Sequence, residues 1–158
     1  MAENNNRKEL ERALNEFGDL IYRTSFIILG NQQDAEDVLQ DTFIRYMEKS
    51  PVFKDYEHQK AWLLKVSHNL CKDLLRFKKR HTYVNIDEVE KSGSLSIGNE
   101  VIKYFISLPP KYKITLILFY VEGFQVSEIS KIINISESAV KKRLQRGRNL
   151  IKVQLEEK

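Results

Sequence analysis

Residues 126–152 read VSEISKIINISESAVKKRLQRGRNLIK, and two helical periodicities meet inside them. Ile129, Ile132 and Ile133 fall on one side of a short helix, and Val140, Leu144, Gly147 and Ile151 form a single stripe on the next, at the spacing that 3.6 residues per turn requires. Between them Ile135 sits in the turn, and Asn134 belongs to the few non-glycine types that tolerate a left-handed backbone. Ser136 is placed to cap the second helix, with Glu137 near its positive end. The pattern predicts a helix-turn-helix, with helices over roughly 127–133 and 137–153. Opposite the apolar stripe lie Ser138, Lys142, Gln145 and Asn149, flanked by Lys141 and Arg146, and Arg143, Arg148 and Lys152 add further cations to the same helix. In a recognition helix, cations anchor the phosphate backbone while Ser, Gln and Lys reach base edges in the major groove. Ser136, Ser138, Lys141, Lys142, Arg143, Gln145, Arg146 and Arg148 are therefore the candidate duplex-DNA contacts. A merely solvated basic helix would carry the same charge, but nothing would then call for the short helix and tight turn before it.

The charge distribution of the whole chain agrees. It has 158 residues, 42% apolar and 30% charged, with 26 basic and 22 acidic side chains, which suits one medium or two small domains. Residues 101–158 hold 11 of the basic and only 5 of the acidic residues, whereas residues 81–100 are acidic. A basic C-terminal third points to a polyanionic partner. The single cysteine, Cys71, excludes a disulfide framework, and the start MAENNNRKELER has no apolar stretch that could serve as a signal peptide. The longest apolar run, Ile114 to Val121, is too short to span a bilayer, so membrane insertion is not expected and a cytoplasmic location is.

Upstream, the periodicity is helical nearly throughout. Leu10, Leu14, Phe17, Ile21, Ser25 and Ile28 mark a first helix that Gly30-Asn31 ends. A second opens with Asp34, Glu36 and Asp37 and runs to about Glu48, before Pro51; a third covers about Gln59 to Lys79, with PVFKDYEHQK (51–60) as a loop between them. Residues 81–99, with Ser92-Gly93-Ser94 and Gly98, read as a linker, with Val84 to Ile86 as an alternative short strand. A helix over Val101 to Leu108 then stops at Pro109-Pro110, another runs to Val121, and Glu122-Gly123 turns into the helix-turn-helix. The expected fold is all-α: two small helical domains, 1–80 and 100–158, joined by a flexible linker, 81–99.

The second helix separates into two faces. Ala35, Val38, Leu39, Thr42, Phe43 and Tyr46 form its core side; Asp37, Gln40, Asp41, Ile44 and Glu48 lie opposite, an acidic stripe with an isoleucine set into it. An apolar side chain rimmed by carboxylates and an amide has the make-up of a small protein interface. The third helix is apolar over Leu63, Leu64, Val66, Leu70, Cys71, Leu74, Leu75 and Phe77. Its other side presents Trp62, Lys65, Asn69, Lys72 and Arg76, next to a loop carrying Phe53 and Tyr56. Rings that stack on bases and cations that track phosphates make a single-strand-binding surface. Trp62 fits equally well as a residue packed against the second helix. Asp73 is expected to pair with a neighbouring cation.

Catalysis finds no constellation. His68-x-x-Cys71 lacks the second pair of ligands that zinc requires, His58, His68 and His81 have no nucleophile at a recognised spacing, and Cys71 falls on the apolar side. Neither an enzyme, nor a cofactor, nor a metal site is expected.

DAEDVLQDTFIRYM (34–47), AWLLKVSHNLCKDLLRFKKR (61–80) and LPPKYKITLILFYVEGFQVSEISKIINISESAVKKRLQRGRNLIK (108–152) together resemble an extracytoplasmic-function (ECF, group IV) sigma factor of bacterial RNA polymerase. The resemblance implies a sigma region 2 whose acidic stripe, Asp37, Gln40, Asp41 and Ile44, binds the β′ clamp helices of core polymerase. It also implies that the loop 51–60 and the face with Asn69 capture unpaired bases of the -10 element, and that region 4 reads the -35 duplex and meets the β flap. An anti-sigma factor is the further partner implied. Ser130 stands where the family usually has Ala, and Asn134 where it usually has the turn Gly. The competing reading is a helix-turn-helix repressor or activator with a helical partner-binding domain.

Overall fold

The structure is a computed structural model that describes residues 2–49, 51–78, 104–105 and 107–157. Among the described residues the α-helices run in the order α1 (Ala2–Leu29), α2 (Gln32–Lys49), α3 (Tyr56–Lys78), α4 (Pro110–Leu116), α5 (Val126–Ile133) and α6 (Glu137–Glu156). No strand occurs among the described residues; the expected linker and its alternative strand lie outside them, as do residues 101–103 and 106 of the helix expected over 101–108, of which Tyr104 and Phe105 are helical and Ser107 and Leu108 are not.

The ends of the helices follow from local chemistry. Gly30 takes φ 69°, a left-handed value that closes α1, and its N–H bonds the Phe26 carbonyl at 2.7 Å. The next residue begins α2 directly, because the Asn31 side chain accepts from the Asp34 N–H at 2.9 Å. The loop before α3 is shorter than its sequence suggested. Asp55 accepts from the His58 N–H at 2.8 Å, so helix begins at Tyr56 and only 51–55 remain outside it. Pro110 opens α4, where its missing N–H costs nothing. The helix then widens into a π turn over Ile117–Val121, with the Glu122 N–H reaching back to the Ile117 carbonyl at 3.0 Å.

Phe17, Ile21 and Leu29 of α1, Val38, Phe43 and Tyr46 of α2, and Leu63, Leu64 and Cys71 of α3 make the first part of the core. The second is built on Leu116, Ile117, Leu118, Ile129, Ile132, Val140 and Leu144. The two belong to one apolar cluster, since α4 packs on α1 and α5 packs on α3. One residue departs from expectation. Phe77, assigned by periodicity to the apolar side of α3, is 64% exposed, because the last turn of α3 lies at the edge of the bundle.

Candidate nucleic-acid and partner interfaces

The turn between α5 and α6 has the chemistry its sequence promised. Asn134 ends α5 at φ 56°, ψ 52°, and the Ser136 hydroxyl accepts from the Ala139 N–H at 3.1 Å to cap α6. The Ser130 hydroxyl donates to the Ile135 carbonyl at 2.5 Å, so this serine ties α5 to the turn. Opposite the capped end of α5, the Glu128 side chain accepts from the Gln125 N–H at 3.3 Å, completing a capping box. Val140, Leu144 and Gly147 are buried, and α6 seats so closely on α4 that a Cβ on Gly147 would lie 2.9 Å from Leu116 Cδ1.

This seating turns the polar side of α6 outward. Ser136, Ser138, Lys141, Lys142, Gln145, Arg146 and Arg148 are exposed and Arg143 is half-buried. Among the described residues no cation of α6 is held in an ion pair; Arg148 donates to the Tyr120 hydroxyl at 3.0 Å. The strip is therefore positive, uncompensated and about 20 residues long, the dimensions of a helix laid in a major groove.

On α3, Lys65, Asn69, Lys72 and Arg76 are exposed on one side, with Asp73 4.0 Å from Arg76. The aromatics are not all beside them. Phe53 and Trp62 are half-buried in a cluster with Tyr46: ring centroids lie 6.0 Å apart for Tyr46–Phe53, 6.1 Å for Tyr46–Trp62 and 5.8 Å for Phe53–Trp62. Trp62 is thus half-buried and packed against Tyr46 of α2. Tyr56 turns the other way, onto Phe17 of α1 at 5.0 Å. The cluster rests on a polar network that crosses three helices. Gln59 donates to the Tyr46 hydroxyl at 3.0 Å and accepts from Arg12 at 3.2 Å, and Tyr46 donates to Glu9 at 3.4 Å. Burial first, and then the Glu9 charge, raise the Tyr46 phenol above its ordinary value.

On α2, Asp37, Gln40, Asp41 and Ile44 are all exposed, Ile44 at 48%. Asp37, Gln40 and Asp41, with Val38, border a shallow groove of about 380 Å³ whose other wall is Leu70, Asp73, Leu74 and Phe77 of α3. The exposed Phe77 and Asp73 therefore extend the acidic, apolar-centred surface, a joining of two helices that a single-helix projection does not reveal.

His68 and Cys71 are buried structural residues. Desolvation, followed by Lys72 and Arg143, lowers His68 to about 4, and burial pushes the Cys71 thiol up to about 12. Among the described residues no group of three His, Cys, Asp or Glu is placed to hold a metal ion, and no helix is long and apolar enough to cross a membrane.

Four charged residues that sequence reasoning passed over join the two halves. Glu122 lies between Arg23 of α1 at 3.0 Å and Lys60 of α3 at 3.6 Å, and the Lys60 ammonium sits 5.1 Å from the Phe124 ring centroid. Lys113, only 6% exposed, donates to the Ile27 carbonyl at 3.2 Å, in the last turn of a helix that has no cation of its own there. Their one sequence signal was Glu122 beside the turn glycine Gly123.

The family models for Sigma-70 region 2 and Sigma-70, region 4 match residues 14–81 and 99–151. The chain is 29% identical to the ECF RNA polymerase sigma factor SigW of Bacillus subtilis, over 88% of this chain and 84% of that protein. Its fold is similar to that of the sigma factor RpoE of Bartonella quintana, solved in complex with the anti-sigma factor NepR: TM-score 0.72, 20% identity, 94% of this chain and 98% of that one. It is likewise similar to CnrH, solved with the cytosolic domain of CnrY: TM-score 0.69, 20% identity, 95% of this chain and 89% of that one.

Proposed function

Because the chain belongs to the sigma-70 family and is an extracytoplasmic-function RNA polymerase sigma factor, we propose that its surfaces divide promoter recognition among three jobs. The polar face of α6 binds the -35 duplex. Arg143, Arg146 and Arg148 hold phosphates, Lys141 adds charge at the flank, and Ser136, Ser138, Lys142 and Gln145 address base edges. The acidic surface of Asp37, Gln40, Asp41 and Ile44 docks on the β′ clamp helices of core polymerase, where its carboxylates meet cations and Ile44 is the apolar centre. The α3 face takes the melted -10 strand. Lys65, Lys72 and Arg76 follow the phosphates, Asn69 reads an unstacked base, and Phe53 and Trp62 supply rings, whereas Tyr56, packed on Phe17, does not.

The observation that carries the reading is the uncompensated cationic face of a properly capped recognition helix. Phosphate binding is strengthened when no local carboxylate competes for the same cations. Core polymerase supplies the chemistry, and this chain works by binding and orienting. A protein of the anti-sigma class is the further partner, in line with the proteins with which RpoE and CnrH were solved. Run-off transcription tests the function: added to core polymerase, the chain should start transcripts at discrete sites on promoter DNA of its host. A helix-turn-helix regulator would produce none without another sigma factor.

A further inference from the structure

Arg148 lies on one flank of the polar face of α6, with Lys141 seven residues before it and Lys152 four residues after it on the same side, and all three are exposed. A residue from another element holds it there. The Tyr120 hydroxyl accepts a hydrogen bond from Arg148 at 3.0 Å, although the two are 28 residues apart in sequence. Tyr120 is 53% exposed, and the half-buried ring of Phe119 meets it edge-on with centroids 4.9 Å apart.

The π turn after α4 brings the ring to this flank. Leu116 packs on Gly147 of α6 so closely that an added Cβ would meet its Cδ1 at 2.9 Å. In an α-helix a residue four places on continues the same line, so a regular helix would set Tyr120 above Leu116, against that seam. The Glu122 N–H bonds instead to the Ile117 carbonyl at 3.0 Å, five residues back, and the extra residue in the turn shifts Tyr120 off the line. Its hydroxyl then reaches Arg148, the neighbour of Gly147, from outside the seam.

A phenol holds an arginine differently from a carboxylate. A carboxylate would orient Arg148 but cancel the charge on which phosphate binding depends; a neutral hydroxyl orients it and leaves the charge whole. Accepting from Arg148 does not use the proton that the hydroxyl itself can donate, and the guanidinium has further N–H groups to give. Two adjacent groups, each with a proton left to donate, match the two unesterified oxygens of a phosphodiester.

We infer that Tyr120 is a duplex-binding residue outside the recognition helix: with Arg148 it forms a ready-made clamp for one backbone phosphate, in which the phenol both fixes the guanidinium and donates its own proton to the phosphate. The inference deepens the reading of α6 as the -35 face and rests on it. Fixing a long side chain before DNA arrives spares the cost of ordering it on binding, worth about two- to tenfold in affinity.

Fluorescence anisotropy of the full-length chain on a labelled, mixed-sequence DNA duplex, over a range of salt concentrations, tests the clamp. Tyr120→Phe keeps the ring, so helical circular dichroism and Tm should not change. Binding should weaken about fivefold at every salt concentration, with an unchanged salt slope, because a hydroxyl releases no counterion. Arg148→Ala should weaken binding and also lower the slope by about 0.9. Combined, the two substitutions should cost less than the product of their separate losses, since either one dismantles the clamp. Wild-type affinity in Tyr120→Phe overturns the inference, as do losses that simply multiply, or a fall in Tm that would make Tyr120 a packing residue. Arg146→Ala, on the opposite flank of α6, separates the two readings. If it weakens duplex binding and Tyr120→Phe does not, the clamp fails and the α6 assignment stands; if neither Arg146→Ala nor Arg148→Ala has an effect, the α6 assignment fails and takes the clamp with it.

Discussion

Lys113→Met should make the protein more stable at neutral pH and less stable at high pH. Lys113 is 6% exposed, and desolvation lowers its ammonium from the ordinary 10.5 to about 8. Each unit is worth about 1.4 kcal/mol, so the charged form is penalised by about 3 kcal/mol in the folded state relative to the unfolded one. Below pH 8 the lysine is protonated in both states and the whole penalty applies. Between 8 and 10.5 the unfolded chain holds a proton that the folded chain has released, so raising the pH favours folding until the penalty has gone. Methionine carries no such penalty but forfeits the 3.2 Å bond to the Ile27 carbonyl, a loss of about 1 kcal/mol. The variant should therefore be more stable by about 2 kcal/mol at pH 7 and less stable by about 1 kcal/mol above pH 10.5, with the order reversing in between. Urea unfolding followed by helical circular dichroism at pH 7, 8, 9 and 10 measures the difference, and groups titrating alike in both proteins cancel. A difference that stays constant from pH 7 to 10 would refute the reasoning, because it would mean that Lys113 keeps its ordinary ionisation and is not desolvated between the two halves.

Two helical glycines should respond with opposite signs to alanine. Gly18→Ala adds a Cβ 3.6 Å from Leu14, an ordinary contact, and should raise Tm through a helix gain of up to about 1 kcal/mol, whereas Gly147→Ala meets Leu116 at 2.9 Å and should lower it by about 1 to 2 kcal/mol net. Ser136→Ala removes the cap on α6 and should cost about 1 kcal/mol in urea unfolding, with Ser136→Asp recovering most of it. Asp37→Lys with Asp41→Lys, both on exposed positions, should reduce capture of core polymerase by about tenfold or more at unchanged circular dichroism. Arg146→Ala should reduce the salt slope of -35 DNA binding by about 0.9 without changing sequence preference, whereas Gln145→Ala should change the preference.

The parts of this protein set by nearest neighbours were legible in its sequence. Asn134 at the left-handed turn, Ser136 as a cap and the stripe of Val140, Leu144 and Gly147 each depend on residues within a turn or two, and all three stand where periodicity and capping rules put them. The same holds for the two faces of α2, because a helix that must bury Val38, Thr42 and Phe43 has no choice but to expose Asp37, Gln40 and Asp41. The start of α3 was misjudged for a local reason too: the capping chemistry of Asp55 outweighed a stretch whose aromatics resembled a loop. What only the tertiary structure decided is everything that takes two elements. Phe77 reads as core on its own helix and is 64% exposed in the folded chain, at the rim of the groove between α2 and α3. Glu122, Arg23 and Lys60 are unremarkable charges in three separate segments, as many as 99 residues apart, until packing buries them together. Lys113 is an ordinary lysine until α1 ends against it. A helix dictates which of its own side chains share a face, since that follows from 3.6 residues per turn; which faces then meet depends on long-range burial that no local spacing encodes.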